Sequence, residues 1–133
     1  MHIRLTDEDL FDIMSNHFKD DSKKVGKNNL KLIIEDFIEG GKGNVNFESP
    51  TGGHNYDLVA SMSLIVGILQ LIVASADYIS QRLNKGEKPT HQTIISYIFL
   101  NFPDEPIKKL NKNNELLEDI TKIIEKKINE NPK

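Results

Sequence analysis

One stretch constrains this chain more than any other: Leu58 to Ala76, LVASMSLIVGILQLIVASA, runs for nineteen residues without a charge. A bilayer core requires about 20 apolar residues, whereas buried helices of soluble folds carry shorter runs, so length alone admits both readings. Tyr56 and Tyr78 stand just outside the two ends, as interfacial anchors would, and Arg82, Lys85 and Lys88 follow the second end like a positive flank. Against a span stands a regularity inside the run. Ala60, Ser63, Gly67, Gln70, Ala74, Asp77 and Gln81 recur at intervals of three and four, which places them on one helical stripe that is small or polar throughout. Apolar residues occupy the remaining circumference. This is the pattern of a helix wrapped by a core on most sides, with the stripe facing water or a close neighbour. The soluble reading leads on that ground, and a single span over 57–78 is the alternative.

Small residues let a second helix backbone approach closely, in water or in lipid, so the stripe is the candidate interaction site. Gly67 lies at its centre. A glycine in mid-helix costs about 1 kcal/mol relative to alanine unless something needs the missing side chain. Two neighbours fit that need: the Thr90 to Asn101 segment of the same chain, or the same stripe of a second copy.

At 133 residues the chain is expected to form a single domain, 1–133, with one modest core. The net charge of −3, with acids and lysines intermixed, argues against nucleic acid as a partner, because phosphate backbones call for a concentrated positive face. There is no cysteine, hence no disulfide and no thiolate chemistry. The start, MHIRLTDEDL, lacks the basic and apolar regions of a signal peptide, so a cytoplasmic location is expected, with the inner membrane as the alternative if 57–78 spans.

The rest of the chain reads as mainly α. His2 to Leu5 alternates as a short strand would, and Thr6 with Asp9 resembles a capping box opening a helix whose apolar face is Leu10, Phe11, Met14 and Phe18. Asp20 to Asn29 has no apolar period and reads as a loop, with Asn28 or Asn29 capping the next helix. Leu30, Ile33, Ile34, Phe37 and Ile38 give that helix its period, and Gly40-Gly41 its left-handed stop. Val45 and Phe47 alternate within NVNFE, so 44–48 is a strand that would pair with 2–5. Asn84-Lys85-Gly86 ends the long helix. Thr90 can cap a helix in TIISYIFLNF, although its β-branched residues also suit a strand, and Pro103 can stop it. Ile107 and Leu110 sit in a short connecting turn or helix, which Asn113 or Asn114 follows as a cap. Leu116, Leu117, Ile120, Ile123, Ile124 and Ile128 face one way in a last helix, with Glu118 and Lys122 as an i,i+4 pair on the other. The expectation is a compact bundle of about five helices around a long central helix at 57–83, with a two-stranded sheet of 2–5 and 44–48 as an option.

No catalytic signature emerges. Gly40-Gly41-Lys42-Gly43 follows a helix and lacks the phosphate-loop spacing, while Gly52-Gly53 leads to Asp57, whose charge opposes an anion, so turn geometry is the better account of both. His54 and Asp57 form the one close imidazole and carboxylate pair at helical spacing, and a small enzyme built on them is a further alternative. His2, His17 and His91 are scattered, with no metal-binding spacing, so no cofactor or metal is expected. Asp77 ends the stripe within reach of Arg82 or a partner residue. Lys122, Lys126 and Lys127 are diluted by Glu118, Asp119, Glu125 and Glu130 and read as a solvated face.

A short helix with an acidic start, the segment NVNFES, the glycine turn in GGHNYD and a long uncharged helix follow one another in an order that resembles the small effector-associated adaptor domains found beside proteases and nucleotide hydrolases in bacterial conflict systems. The resemblance covers the first two thirds of the chain, and the tail from Asp104 to Lys133 departs from it. It implies a non-enzymatic adaptor that oligomerises or recruits a protein effector. That reading is carried forward beside the membrane-span and enzyme alternatives.

Overall fold

The computed structural model describes residues 3–41, 56–101 and 115–130, with 56–58 described as backbone only. Among these the fold is mainly α: α1 (Asp7–His17), α2 (Lys19–Val25), α3 (Lys27–Ile38), α4 (Tyr56–Asn84), α5 (His91–Leu100) and α6 (Glu115–Glu130). The described residues group into two compact units, Thr6–Gln70 and Met1–Leu5 with Leu71–Lys133, and α4 contributes its first half to one and its second half to the other.

In the first unit, α1 opens on a complete capping box. The Thr6 hydroxyl accepts from the Asp9 N–H at 3.2 Å, and the Asp9 carboxylate accepts from the Thr6 N–H at 2.9 Å, so two orphan donors of the first turn are satisfied reciprocally. Thr6→Ala is expected to cost about 0.5–2 kcal/mol, read as a lower thermal midpoint at unchanged helix content. Leu10, Ile13 and Met14 are the buried face of α1, while Phe11 is only half-buried.

The expected loop over Asp20 to Asn29 is instead α2, a junction, and the start of α3. The helix of seven residues has Asp20 and Asp21 in its first turn and Lys23 and Lys24 in its last, each sign matched to the helix dipole, and it is anchored by one buried residue, Val25. Gly26, at φ 90°, closes α2 and leads into α3. Neither Asn28 nor Asn29 is the cap. Asn29 is buried within α3, and its side-chain amide donates to the Val25 carbonyl at 3.0 Å. α3 ends as its glycines suggest: Gly40 takes φ 93°, its N–H reaches the Phe37 carbonyl at 3.1 Å and the Gly41 N–H reaches that of Asp36 at 2.8 Å, which is the paired bonding of a Schellman stop. Ile33, Ile34 and Phe37 of α3 are buried, and α3 packs on α1 and α2 of this unit. Ser61 of α4 donates to the Asp21 carboxylate at 2.8 Å, tying the long helix to α2.

In the second unit, α4 stops at a second Schellman arrangement around Gly86, whose N–H reaches Leu83 at 3.0 Å while the Glu87 N–H reaches Arg82 at 3.0 Å. Thr90 caps α5 by accepting from the Thr93 N–H at 3.1 Å, so the β-branched run is a helix. α5 packs on α6, burying Ile94 and Ile98 from one and Leu116, Leu117, Ile120 and Ile124 from the other; Ile123 and Ile128 are half-buried.

The N-terminal segment is not a strand. Ile3 is buried, 3% exposed, and its N–H donates to the Ser80 hydroxyl at 2.8 Å, so the apolar alternation near the start seats one side chain beside α4 and gives its backbone donor to a helix side chain. Among the described residues there is no strand; the expected partner, 44–48, and the segment containing Ile107, Leu110 and the caps Asn113 or Asn114 lie outside them. Two buried serines of α4 donate within their own helix, Ser75 to the Leu71 carbonyl at 2.7 Å and Ser80 to that of Ala76 at 2.8 Å, as short hydroxyl side chains do in an apolar helix.

Candidate functional site

The stripe is the open side of α4. In the first unit Ala60, Ser63 and Gln70 are exposed and Gly67 is half-buried; in the second Ala74, Asp77 and Gln81 are exposed. The opposite side supplies core: Ile65, Ile68 and Leu69 in one unit and Leu71, Ile72, Ala76 and Ile79 in the other. A Cβ added at Gly67 would meet no described atom within 4 Å. Among the described residues, no neighbour fills the space at Gly67. Along one edge of the stripe Val59, Val66 and Val73 recur every seven residues, the first 62% exposed and the others half-buried. The open side of α4 thus carries small and polar residues with a row of valines beside them.

Two polar constellations in the second unit were not legible in the chain. In the first, Tyr78 of α4 stacks on Tyr97 of α5 with centroids 3.9 Å apart and planes 4° from parallel. Arg82, one turn beyond Tyr78, lies with its guanidinium 5.0 Å from that ring centroid, donates from Nε to the phenolic oxygen at 2.9 Å, and pairs with both Glu87 oxygens at 3.0 Å. Glu87 first, and Tyr78 second, hold the guanidinium still more firmly protonated than usual. Arg82 is thus turned to Glu87 and Tyr78, so of the two partners considered for Asp77, Arg82 or a partner residue, Arg82 is engaged elsewhere. Tyr78 is a helix-packing residue here, half-buried against Tyr97. Tyr78, Arg82, Glu87, Lys88, Pro89 and Thr93 line an open depression of about 310 Å³. Its guanidinium and carboxylate neutralise one another, and the Thr93 hydroxyl bonds that of Thr90 at 2.9 Å, so these groups are engaged rather than poised for proton transfer.

The second constellation joins α5 to α6. His91, the first residue of α5, directs Nδ1 at the Glu125 carboxylate and Nε2 at that of Glu118, 3.5 Å away. The hydrogen bond to Glu125 raises the His91 pKa above its ordinary value; the charges of Glu125 and Glu118 act the same way, and partial desolvation opposes them. Glu118 thereby serves His91 rather than the expected pair with Lys122, because tertiary packing brings a second cation to it. Of the lysines of α6, Lys122 and Lys126 are exposed, as a solvated face would have them, whereas the Lys127 side chain is mostly covered, 14% exposed, with its ammonium 3.8 Å from Glu130.

His2 and His54, and the side chains of Tyr56 and Asp57, lie outside the described residues, as do Gly43, Gly52 and Gly53. His17 closes α1 in its last turn. Among the described residues no group of three or more histidine, aspartate or glutamate side chains is placed to hold a metal ion. Comparison of the chain with protein-family models, with curated proteins and with solved structures returns no match.

Proposed function

We propose that this chain is a non-enzymatic helical interaction module that self-associates through the open face of α4, in the manner of an adaptor that assembles copies of itself or of an attached effector. The observation that carries the reading is the position of Gly67: a glycine at the centre of a long helix, with open space where its side chain would stand. Nothing inside the described fold calls for that glycine, yet it weakens the helix by about 1 kcal/mol relative to alanine.

The rest of the face suits a second helix. Ala60, Gly67 and Ala74 repeat every seven residues, as do Ser63, Gln70 and Asp77 between them, so the stripe has the two-position seam of a helix pair. Charge selects the orientation. A parallel two-fold pair would bring Asp77 against its own copy, whereas an antiparallel pair centred at Gln70 sets Asp77 opposite Ser63 and Gly67 opposite Val73, next to Ala74. The valine row supplies the apolar area on either side of the close approach.

A second reading, a single membrane span, keeps a specific support. Val59–Asn84 is long and apolar enough to cross a bilayer, and 44% of its apolar window is buried inside the protein. The character of the open side weighs against lipid, because it presents Gln70, Asp77 and Gln81, and charged or amide side chains facing hydrocarbon are costly. Fractionation discriminates the two: the interaction module is recovered in the supernatant without detergent, whereas retention in the membrane pellet after a carbonate wash would establish the span.

A further inference from the structure

We propose that His91, Glu118 and Glu125 form a pH-dependent clasp that holds α5 on α6 while His91 carries its proton and loosens when the proton leaves. The argument is stereochemical. Both ring nitrogens face a carboxylate, Glu125 at Nδ1 and Glu118 at Nε2. Only an imidazolium has two N–H donors, so a neutral ring must set a lone pair against one of the two charges. Glu118 and Glu125 stand seven residues apart on α6, two turns along one face, and the ring spans them from the first residue of α5.

No other charged residue occurs in α5, and the charged groups facing His91 from α6 are these two glutamates. Two further effects bear on the balance. The positive end of the α5 dipole opposes an imidazolium at its first residue, which the pair of carboxylates outweighs. Lys122, exposed and one turn from Glu118, is a ready competitor for that carboxylate once the ring is neutral. The consequence reaches the packing, because the clasp closes the same contact that buries Ile94 and Ile98 against α6. The sign follows from the raised pKa. The contribution is fully present below the unfolded histidine value, near 6.5, and is lost as pH rises through the higher folded value. At 45% side-chain exposure the ring is open to solvent, so salt weakens the clasp as well.

This inference is independent of what α4 binds. It is tested by proton NMR of the whole chain across pH 6 to 9, following the His91 ring and the amide exchange of α5, corrected for the intrinsic rise of exchange with pH. His91 should titrate above 6.5, and Glu125→Gln and Glu118→Gln should each lower its midpoint. Protection of the α5 amides should fall over the same interval, about tenfold for each unit by which the midpoint exceeds the unfolded value. His91→Gln should hold protection at its high-pH level throughout. A His91 midpoint at or below 6.5, or α5 protection that does not change across the interval in the wild-type chain, overturns the clasp, and both readouts stand even if a variant fails to fold.

Discussion

Leu69→Ala is expected to destabilise the protein by about 2–5 kcal/mol, a large share of the roughly 5–15 kcal/mol that holds a small domain together. Leu69 has no exposed surface and sits near the middle of α4, on the side away from the stripe, in the unit formed with α1, α2 and α3. Truncation removes buried methyl groups and leaves a cavity in a core that also holds the buried Ile65 and Ile68 of the same unit, so the transfer and cavity costs add. The better helix propensity of alanine offsets little of this. Urea unfolding followed by circular dichroism measures it as a lower midpoint at unchanged slope. Val59→Ala, on the open side of the same helix, is the control and, at concentrations where the chain is monomeric, should stay within about 0.5 kcal/mol of the wild type. A Leu69→Ala loss as small as that of the control would mean that the core side of α4 is misplaced.

The contrast between those two positions is what the chain itself made legible. Ala60, Ser63, Gly67, Gln70, Ala74, Asp77 and Gln81 could be placed on one side of α4 by spacing alone, because the period of 3.6 residues turns sequence intervals into directions. Thr6 with Asp9, Gly40, Gly86 and Thr90 marked helix ends for a similar reason: each satisfies backbone groups within a few residues of itself. α2 was missed because its stabilisation is not apolar. DDSKKV carries no hydrophobic period, yet its acids precede its lysines in the order that the helix dipole favours, and that order was the available signal. Asparagine serves local backbone bonds in many settings, so Asn28 or Asn29 fits a cap by type, whereas Asn29 meets the carbonyl of Val25 inside a helix.

The polar constellations were illegible for a different reason. His91 lies 34 residues from Glu125, and Tyr78 stacks on a residue of another helix, so neither pairing exists until α5 has docked. Local spacing pointed instead to Glu118 with Lys122 and to Asp77 with Arg82, both plausible within one helix and both displaced by partners that tertiary packing supplies.

The second large effect is expected at Gly67. Because a side chain there meets open space, Gly67→Leu should not unfold the chain, and the exchange of glycine for a strong helix former should stabilise the folded monomer by roughly 0.5–1 kcal/mol. Its effect on association should be the reverse. A leucine at the point of closest approach pushes two helix axes apart and strips contact from Ala74 and the valine row on both copies, and van der Waals contact is what a small-residue seam relies on. Stability and assembly are thus expected to move in opposite directions on one substitution, which simple damage to the fold cannot imitate.

Sedimentation equilibrium of the wild-type chain and of Gly67→Leu, in detergent-free buffer over a range of concentrations, is the most direct measurement. Self-association through the open face of α4 predicts a wild-type mass that rises with concentration toward twice the chain mass of 15.1 kDa, and a variant that remains at the chain mass while melting no earlier than the wild type. A wild type that stays monomeric throughout, or a folded Gly67→Leu that associates as the wild type does, would contradict it.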